Sequence, residues 1–295
     1  MCCLALAYFV IQPEAVVALL AARETALGGK EGMNIIRLAF EGTVGWSVKF
    51  GRKEAEQRLI ETLKTLAEKE AELSRETRSG DLLGQALIEA CERSMEGVVV
   101  SLLQMGVSPK RMKAGASVPL VVCLRKRKWS MAKRLLKGEA DPNEADERGV
   151  SAVEAYLKAA EAYLKAAAGQ QRDQLGLTVL EEMAKVGANF NAPLQDGHTP
   201  MSFAIIEMKL KDEADFLFHN GASLQGKRRG EGEEDVRGLL MTCILTHQWA
   251  LAKWLLAWGA DPNEFSISRK RGVCIASLPL VKAMESLQRR LLTTC

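Results

Sequence analysis

One short motif occurs three times along the chain: GEADPN at Gly138–Asn143, GANFN at Gly187–Asn191 and GADPN at Gly259–Asn263. Weaker copies are GVSPK at Gly106–Lys110 and GASLQ at Gly221–Gln225. Each copy follows a pair of apolar residues that lies three and four positions before the turn. In the first copy this distance is counted to Glu139, because that turn holds one extra residue. Five copies of one helix-ending pattern indicate a chain built from repeated units.

The repeated unit also has a recognisable first half. An apolar anchor lies 19 residues before the turn in three copies, and the residue three positions after it is small. The distance from Gly106 to Glu139 is 33 residues, which defines the period. The anchors and their small partners are Leu87 with Ala90, Leu120 with Cys123, and Leu240 with Cys243.

The residue types of the unit predict a pair of helices. Its clearest first half is DGHTPMSFA at Asp196–Ala204, where Thr can cap free amides and Pro fits the first turn of a helix. The apolar pair predicts the buried side of a second, outer helix, which the glycine ends in a left-handed conformation. A single unit of this size cannot bury its apolar face, so the copies are expected to stack.

This combined pattern resembles the ankyrin repeat, whose consensus runs Asp-x-x-Gly-x-Thr-Pro-Leu-His-x-Ala and ends Leu-Leu-x-x-Gly-Ala-Asp-x-Asn. The resemblance covers most of residues 81–283 and includes the 33-residue period. It implies an all-α solenoid of stacked helix–turn–helix units with projecting loops. Proteins of this family mostly bind other proteins through the concave face and the loop tips, and rarely catalyse reactions.

The same register extends to both ends of the chain and predicts eight units, the last of them truncated. We expect degenerate repeats over residues 1–80 and regular ones over residues 81–295. The apolar start Met1–Ile11 fits a repeat and lacks the basic region of a secretory signal. Cys2 and Cys3 lie either in a packed first helix or at a palmitoylation site. The eight anchors are Leu4, Ile36, Leu87, Leu120, Val153, Met201, Leu240 and Leu280.

Insertions interrupt the period. Residues 53–78 predict a long charged helix, either an overlong outer helix packed on its own repeat or a coiled coil. The Val153 repeat contains a duplicated heptad, EAYLKAA at Glu154–Ala160 and Glu161–Ala167, which is expected to lengthen a helix by about four turns. Tyr156 takes the position that is usually small, which puts close packing there in doubt. The leucines of the long helix that fall on one face are Leu59, Leu63, Leu66 and Leu73.

Tryptophans Trp254 and Trp258 lie four residues apart on the last full outer helix. They are expected either to cover a neighbouring repeat or to form an exposed aromatic pair, and packing is the favoured interpretation.

Basic clusters lie in three loops that follow outer helices. In an ankyrin stack such loops project from one edge, so their tips are neighbours. They are either solvated loops or an electropositive rim that binds an acidic or phosphorylated partner segment. An acidic run at Glu231–Asp235 follows one of the clusters and could mask it. The candidate partner-binding residues are Lys110, Arg111, Lys113, Lys227, Arg228, Arg229, Arg269, Lys270 and Arg271.

Composition and motif searches argue against other classes of protein. Lys plus Arg is 40 against 37 for Asp plus Glu, a balance that does not favour nucleic acid. The seven cysteines contain no Cys-x-x-Cys pair, so we expect no zinc site and a reduced protein. No phosphate-binding loop, dinucleotide fingerprint, catalytic motif or run of about 20 apolar residues occurs. We therefore expect no enzyme activity, no cofactor, no small-molecule substrate and no membrane span.

The sequence thus predicts a non-catalytic adaptor or scaffold that binds a protein through its concave face and basic loops. The alternative is the recognition part of a larger enzyme or channel, since both termini fall inside predicted repeats. A weaker alternative is binding of nucleic acid or another phosphate-rich ligand through the basic loops. We expect a cytoplasmic protein. The run RKRK at Arg125–Lys128 leaves the nucleus open, because it is either an import patch or a charged turn between helices.

Overall fold

The computed structural model describes residues 36–37, 39–44, 47–48, 51–73, 82–110, 117–166, 174–206, 211–224, 239–260, 266–270 and 273–277. Most of these residues are α-helical. The chain divides into two compact units, Met1–Arg148 and Gly149–Cys295. None of the described helices is both long and apolar enough to cross a membrane. The predicted division into residues 1–80 and 81–295 stays a prediction.

In the first unit, a long helix precedes two helix pairs that stack on each other. Helices α2 and α3 pack together, as do α4 and α5. The first members of the two pairs, α2 and α4, are neighbours, and so are the second members, α3 and α5, while α1 lies against α2 and α3. The helices are α1 (Arg52–Leu73), α2 (Leu82–Glu92), α3 (Glu96–Gln104), α4 (Pro119–Arg125) and α5 (Trp129–Lys137).

In the second unit, three more helix pairs follow the same plan. Helix α6 pairs with α7, α8 with α9 and α10 with α11, and the first members α6, α8 and α10 are neighbours in that order. The helices are α6 (Ala152–Ala166), α7 (Gln174–Lys185), α8 (Pro200–Ile206), α9 (Lys211–His219), α10 (Leu239–Leu245) and α11 (Trp249–Ala257). An antiparallel hairpin of β1 (Ser266–Lys270) and β2 (Val273–Ser277) comes after them.

The turn inside three of the pairs repeats at the level of single hydrogen bonds. Ser94, Arg127 and His247 have φ of 56°, 57° and 58°, in the left-handed region. The following amide N–H donates in each case to the carbonyl of the small inner-helix residue: Met95 to Ala90, Lys128 to Cys123 and Gln248 to Cys243, over 2.8–2.9 Å. The first two turns are 33 residues apart, so the predicted period is also a period of the backbone.

The predicted helix ends are confirmed. Gly106, Gly187, Gly221 and Gly259 have φ between 83° and 88°, and Glu139 takes the same place with φ of 67°. The next residue donates its N–H to the carbonyl four positions before the turn, for example Ala260 to Leu255 over 3.0 Å. This is the Schellman arrangement, which satisfies carbonyls left free at the end of a helix.

The predicted start of the inner helix is confirmed as well. The Ser202 N–H donates to Thr199 Oγ1 over 3.2 Å, and Pro200 is the first residue of α8. In the corresponding place of α6, Glu154 donates its N–H to Ser151 Oγ over 3.3 Å. Both hydroxyls satisfy an amide that would otherwise lack an intrahelical acceptor.

Burial agrees with the predicted register at the first member of each apolar pair but not at every second member. The first members Leu102, Leu135, Met183, Leu217 and Leu255 are all fully buried. Leu136 is buried, as predicted, whereas Leu256 is 45% exposed, so its predicted burial is wrong. Successive residues of a helix lie about 100° apart around its axis, so one face of α11 buries Leu255 while its neighbour points to solvent.

The all-α class is confirmed for the described part of the chain, with one addition that the sequence did not predict: the hairpin of β1 and β2 in the loop inserted after Gly259. The duplicated heptad is helical as far as Ala166, and residues 167–173, which follow it, lie outside the described part. Helix α6 has 15 residues against seven in α4, or about two extra turns, and α7 is also lengthened, to 12 residues. Tyr156 is buried, so the inner helix tolerates a large side chain there.

The long helix is a packed element of the first unit. Leu59, Leu63 and Leu66 are buried on one face of α1, as their spacing predicts. The helix lies against α2 and α3 of the following repeat, not only on its own repeat as expected. This burial favours the packed helix over the coiled coil, because the apolar face is covered within the unit. The side chain of Leu73 and residues 74–78 lie outside the described part.

Candidate interaction surface

Three of the nine predicted partner-binding residues belong to the described part. Lys110 is exposed in the loop after α3, where its N–H donates to Ser108 Oγ over 3.3 Å. Arg269 and Lys270 are the last residues of β1, and Lys270 pairs with Val273 of β2. The remaining predicted residues lie outside the described part: Arg111, Lys113, Lys227, Arg228, Arg229 and Arg271.

The hairpin fixes where the last basic cluster lies along the backbone. The register from Ser266 with Ser277 to Lys270 with Val273 leaves two residues, Arg271 and Gly272, to connect the strands. Arg269 and Lys270 therefore lie at the end of β1 next to this connection, and Arg271 lies outside the described part. The assembly of the three basic clusters into one rim stays a prediction.

Loops of successive repeats are joined by hydrogen bonds in the second unit. Asn191 Nδ2 donates to the carbonyl of Gly221 over 2.9 Å, and its Oδ1 accepts the N–H of Ser223 over 2.6 Å. Its own N–H donates to Asn189 Oδ1 over 2.9 Å, which holds the asparagine in a local turn. The loop that leads toward Lys227 thus starts from a point tied to the preceding loop.

A buried carboxylate makes a second link of this kind. Glu154 on α6 is buried, and its Oε2 accepts the N–H of Gln195 over 3.1 Å. Lys158 lies one turn further along α6, and its Nζ is 2.5 Å from Glu154 Oε1. The inner helix is thereby tied to the loop that precedes α8.

The inner helices expose few side chains to a partner. Residues Pro119–Leu124 of α4 and Pro200–Ile205 of α8 are all buried. On these two helices the predicted concave face therefore has little side-chain surface for recognition. On these repeats the loops and outer helices expose more side chains than the two inner helices do.

Two side chains of the basic run Arg125–Lys128 form ion pairs within the first unit. Arg125 donates from Nη2 to the buried carboxylate of Asp146 over 2.6 Å, and Lys126 Nζ lies 2.6 Å from Glu92 Oε2. These ion pairs favour the charged turn over the import patch, because two of its four cations already have partners.

The tryptophan pair packs on the preceding repeat, as the favoured interpretation predicted. Trp254 Nε1 donates to Asp215 Oδ1 of α9 over 2.7 Å. The ring of Trp258 meets those of Phe218 and His219 edge to face, with centroids 4.0 and 4.7 Å away. Aromatic contact and an indole hydrogen bond together hold α11 against α9.

The His198–Ser202 pair is part-buried, and the three described cysteines are held in buried surroundings. His198 Nδ1 is 3.2 Å from Ser202 Oγ, but that hydroxyl is buried and donates to the carbonyl of Thr199. Cys91, Cys123 and Cys243 are buried. The hydrogen bond with Cys123, together with burial, raises the pKa of the Cys91 thiol, and burial raises the pKa of Cys243 to about 11. A thiol of raised pKa is a poor nucleophile at neutral pH.

Within the described ranges, no group of three or more His, Cys, Asp or Glu residues is placed to hold a metal ion. Comparison of the sequence with models of protein families gives no match, and comparison with curated protein sequences gives none either.

Proposed function

We propose that the chain is a non-catalytic interaction module of the ankyrin type, an adaptor that binds an acidic or phosphorylated segment of a protein partner through its basic loops. The ankyrin assignment rests on the recurring helix pairs, on their two left-handed turns and on the 33-residue period. A stack of this kind presents its loops as an extended surface, which suits binding of another chain.

The link between Asn191 and the loop after Gly221 carries the proposal. It joins the loops of two successive repeats, one of which leads toward Lys227, Arg228 and Arg229. The link fixes the start of this basic loop against the preceding repeat, and in a stack of repeats successive loops project from the same edge. Because guanidinium groups bind carboxylates and phosphates in a bidentate manner, an arginine-rich edge suits such partner groups.

The hairpin adds a second argument for the loops. Arg269 and Lys270 are the last two residues of β1, at the end of the two-stranded ribbon where Lys270 pairs with Val273. The buried inner helices α4 and α8 leave the loops as the better candidate surface.

The experiment measures binding of the intact chain to fluorescein-labelled 12-residue peptides rich in aspartate, glutamate and phosphoserine. Fluorescence anisotropy is followed at increasing salt, with lysine-rich peptides and single-stranded DNA of the same length as comparisons. We expect saturable binding of the acidic peptides, weakened at least fivefold by the double variant Arg228→Glu, Lys270→Glu. Its salt dependence should also fall, because fewer ion contacts are made.

The control is Lys253→Glu, which reverses an exposed lysine of α11 outside the loops. It should change the affinity less than twofold. Tighter binding of DNA than of any acidic peptide would replace the proposal by nucleic-acid binding, and equal binding by both charge variants would remove the loops as the site.

A further inference from the structure

An open cleft in the first unit is separate from the basic loops. Its volume is about 380 Å³, and it lies between the helical residues Thr43, Val44 and Ser47, the first turn of α1 and the turn between α2 and α3. Val44, Ala55 and Met95 supply its apolar lining. Thr43 and Ser47 also line it, and their hydroxyls donate to the carbonyls of Phe40 and Val44.

Apolar side chains are exposed at this cleft to an unusual degree. Val44 is 56% exposed and Val48, four residues later, is 86% exposed, while most large apolar side chains of the described chain are buried. Clustered apolar exposure on a folded surface marks a site of interaction. Val48 does not line the cleft, so a ligand covering both valines must extend beyond it.

The charged lining of the cleft favours an anion. The charged residues that line it are Arg52, Arg93 and Glu56. Arg52 pairs with Glu56 over 2.8 Å but stays 71% exposed, so it can turn toward a ligand. Arg93 pairs with Glu89 over 2.6 Å. Helix α1 begins at Arg52, and the positive end of its dipole adds to the same preference.

We infer that this cleft binds an amphipathic acidic segment of a protein partner, in which leucine-like side chains stand next to carboxylates. The apolar side chains cover Val44 and Val48, and the carboxylates meet Arg52, which is the more exposed of the two arginines. The extent of the apolar surface, out to Val48, favours a peptide over a small amphipathic acid. This contact goes beyond the proposed function because it uses neither the basic loops nor their charges.

The probe is a fluorescein-labelled peptide of three Glu-Leu-Leu-Glu blocks, titrated with the intact chain. Two comparison peptides replace either glutamate by lysine or leucine by serine. We expect saturable binding of the first peptide below 1 mM and at least tenfold weaker binding of the other two, as an order-of-magnitude expectation for a site that needs both features.

Variants locate the site. Val44→Ser with Val48→Ser should weaken binding at least about fivefold and Arg52→Gln at least about threefold. The matched control is Val186→Ser, since Val186 is an exposed valine of the second unit, 44% accessible, and should leave the affinity within twofold. The melting temperature is recorded for each variant. Should the double valine variant unfold, Val48→Ser alone serves, because that side chain is almost fully exposed.

Four results would overturn the inference. The first is no saturable binding of the Glu-Leu peptide, and the second is binding insensitive to the valine variants. The third is loss of binding in the Arg228→Glu, Lys270→Glu variant, which would show that the peptide uses the loops, so that the proposed function stands while the cleft does not. The fourth is binding of octanoate with the same variant dependence and at least the affinity of the peptide, which would make the cleft a small-molecule site.

Discussion

Asn191 binds the backbone of the next repeat at Gly221, with its Nδ2 2.9 Å from the glycine carbonyl. Gly221 is itself the left-handed residue that ends α9, with φ of 83°. The asparagine therefore binds the end of the following outer helix and, through the Ser223 N–H, the loop that follows this helix. This pair of residues therefore combines the local geometry of a helix end with a contact between two repeats.

Replacement of Asn191 by alanine should destabilise the second unit. The change leaves the Gly221 carbonyl and the Ser223 amide to solvent, and we expect a loss of about 1–2 kcal/mol in the free energy of unfolding. Urea denaturation measures the loss, and hydrogen exchange should be faster at the Ser223 amide. The control is Asn220→Ala, since Asn220 Nδ2 donates to the carbonyl of Phe216 within its own helical turn. Equal effects of the two variants would argue against a role between repeats.

Leu255 and Leu256 form a matched pair for the register of the repeat. Leu255 is fully buried and Leu256 is 45% exposed. Leu255→Ala should cost about 2–5 kcal/mol through lost burial and a cavity, and Leu256→Ala less than about 1 kcal/mol. Chemical denaturation of both variants measures the two losses in the free energy of unfolding. A larger loss at Leu256 would show that the face of α11 carrying it is covered in solution.

Substitutions at two of the helix ends should have opposite effects on stability. A Cβ added at Gly187 would meet no atom within 4 Å, so Gly187→Ala should cost only left-handed strain, about 1–2 kcal/mol. Glu139 holds the same conformation with φ of 67°, so Glu139→Gly should relieve strain and stabilise the chain by up to about 1 kcal/mol. Thermal and urea unfolding measure both. A destabilising Glu139→Gly would mean that the glutamate side chain contributes more than the strain it causes.

Stability should fall at alkaline pH through the buried thiol of Cys243. Burial raises its pKa from 9.0 to about 11 in the folded chain. A group whose pKa is raised on folding stabilises the fold below its unfolded pKa, and this contribution is lost as the pH rises through the folded value. Between pH 9 and 11 the loss should approach roughly 2–3 kcal/mol.

The measurement is urea unfolding under reducing conditions from pH 7 to pH 11, in the native chain and in Cys243→Ala. Alanine fits the small position of the inner helix but does not titrate. The slope of stability against pH above 9 should therefore be shallower in the variant. Parallel curves would show that Cys243 is accessible to water in the folded state.

The helix ends could be predicted from the sequence because their causes are local. A glycine three positions after an apolar pair specifies a left-handed helix end, and Thr199 before Pro200 specifies a helix start, through hydrogen bonds to residues within one turn. The complete burial of Leu255 and its four equivalents followed from the same register. These features need only a few neighbouring residues.

Other features of the surface depend on residues far apart in the chain. The sequence placed Leu256 in the core with Leu255, but a spacing of one residue does not say which side of a helix another element covers. The cleft beside Val44 combines residues from three elements between Thr43 and Met95, and no motif in the sequence marks it. The turns at Ser94, Arg127 and His247 carry no glycine, so the left-handed conformation there had no compositional signal.

What the sequence by itself determined is the repeated helix pair, its period and the identity of its terminating residues, because hydrogen bonds within one turn and an apolar stripe on one helix are properties of short segments. Only the tertiary structure decided which polar groups form hydrogen bonds with residues far away in the sequence. Asn191 meets Gly221, Glu154 meets Gln195 and Arg125 meets Asp146 across 30, 41 and 21 residues. Such contacts form only after packed helices bring their loops within hydrogen-bond distance, and that geometry depends on every side chain in the stack.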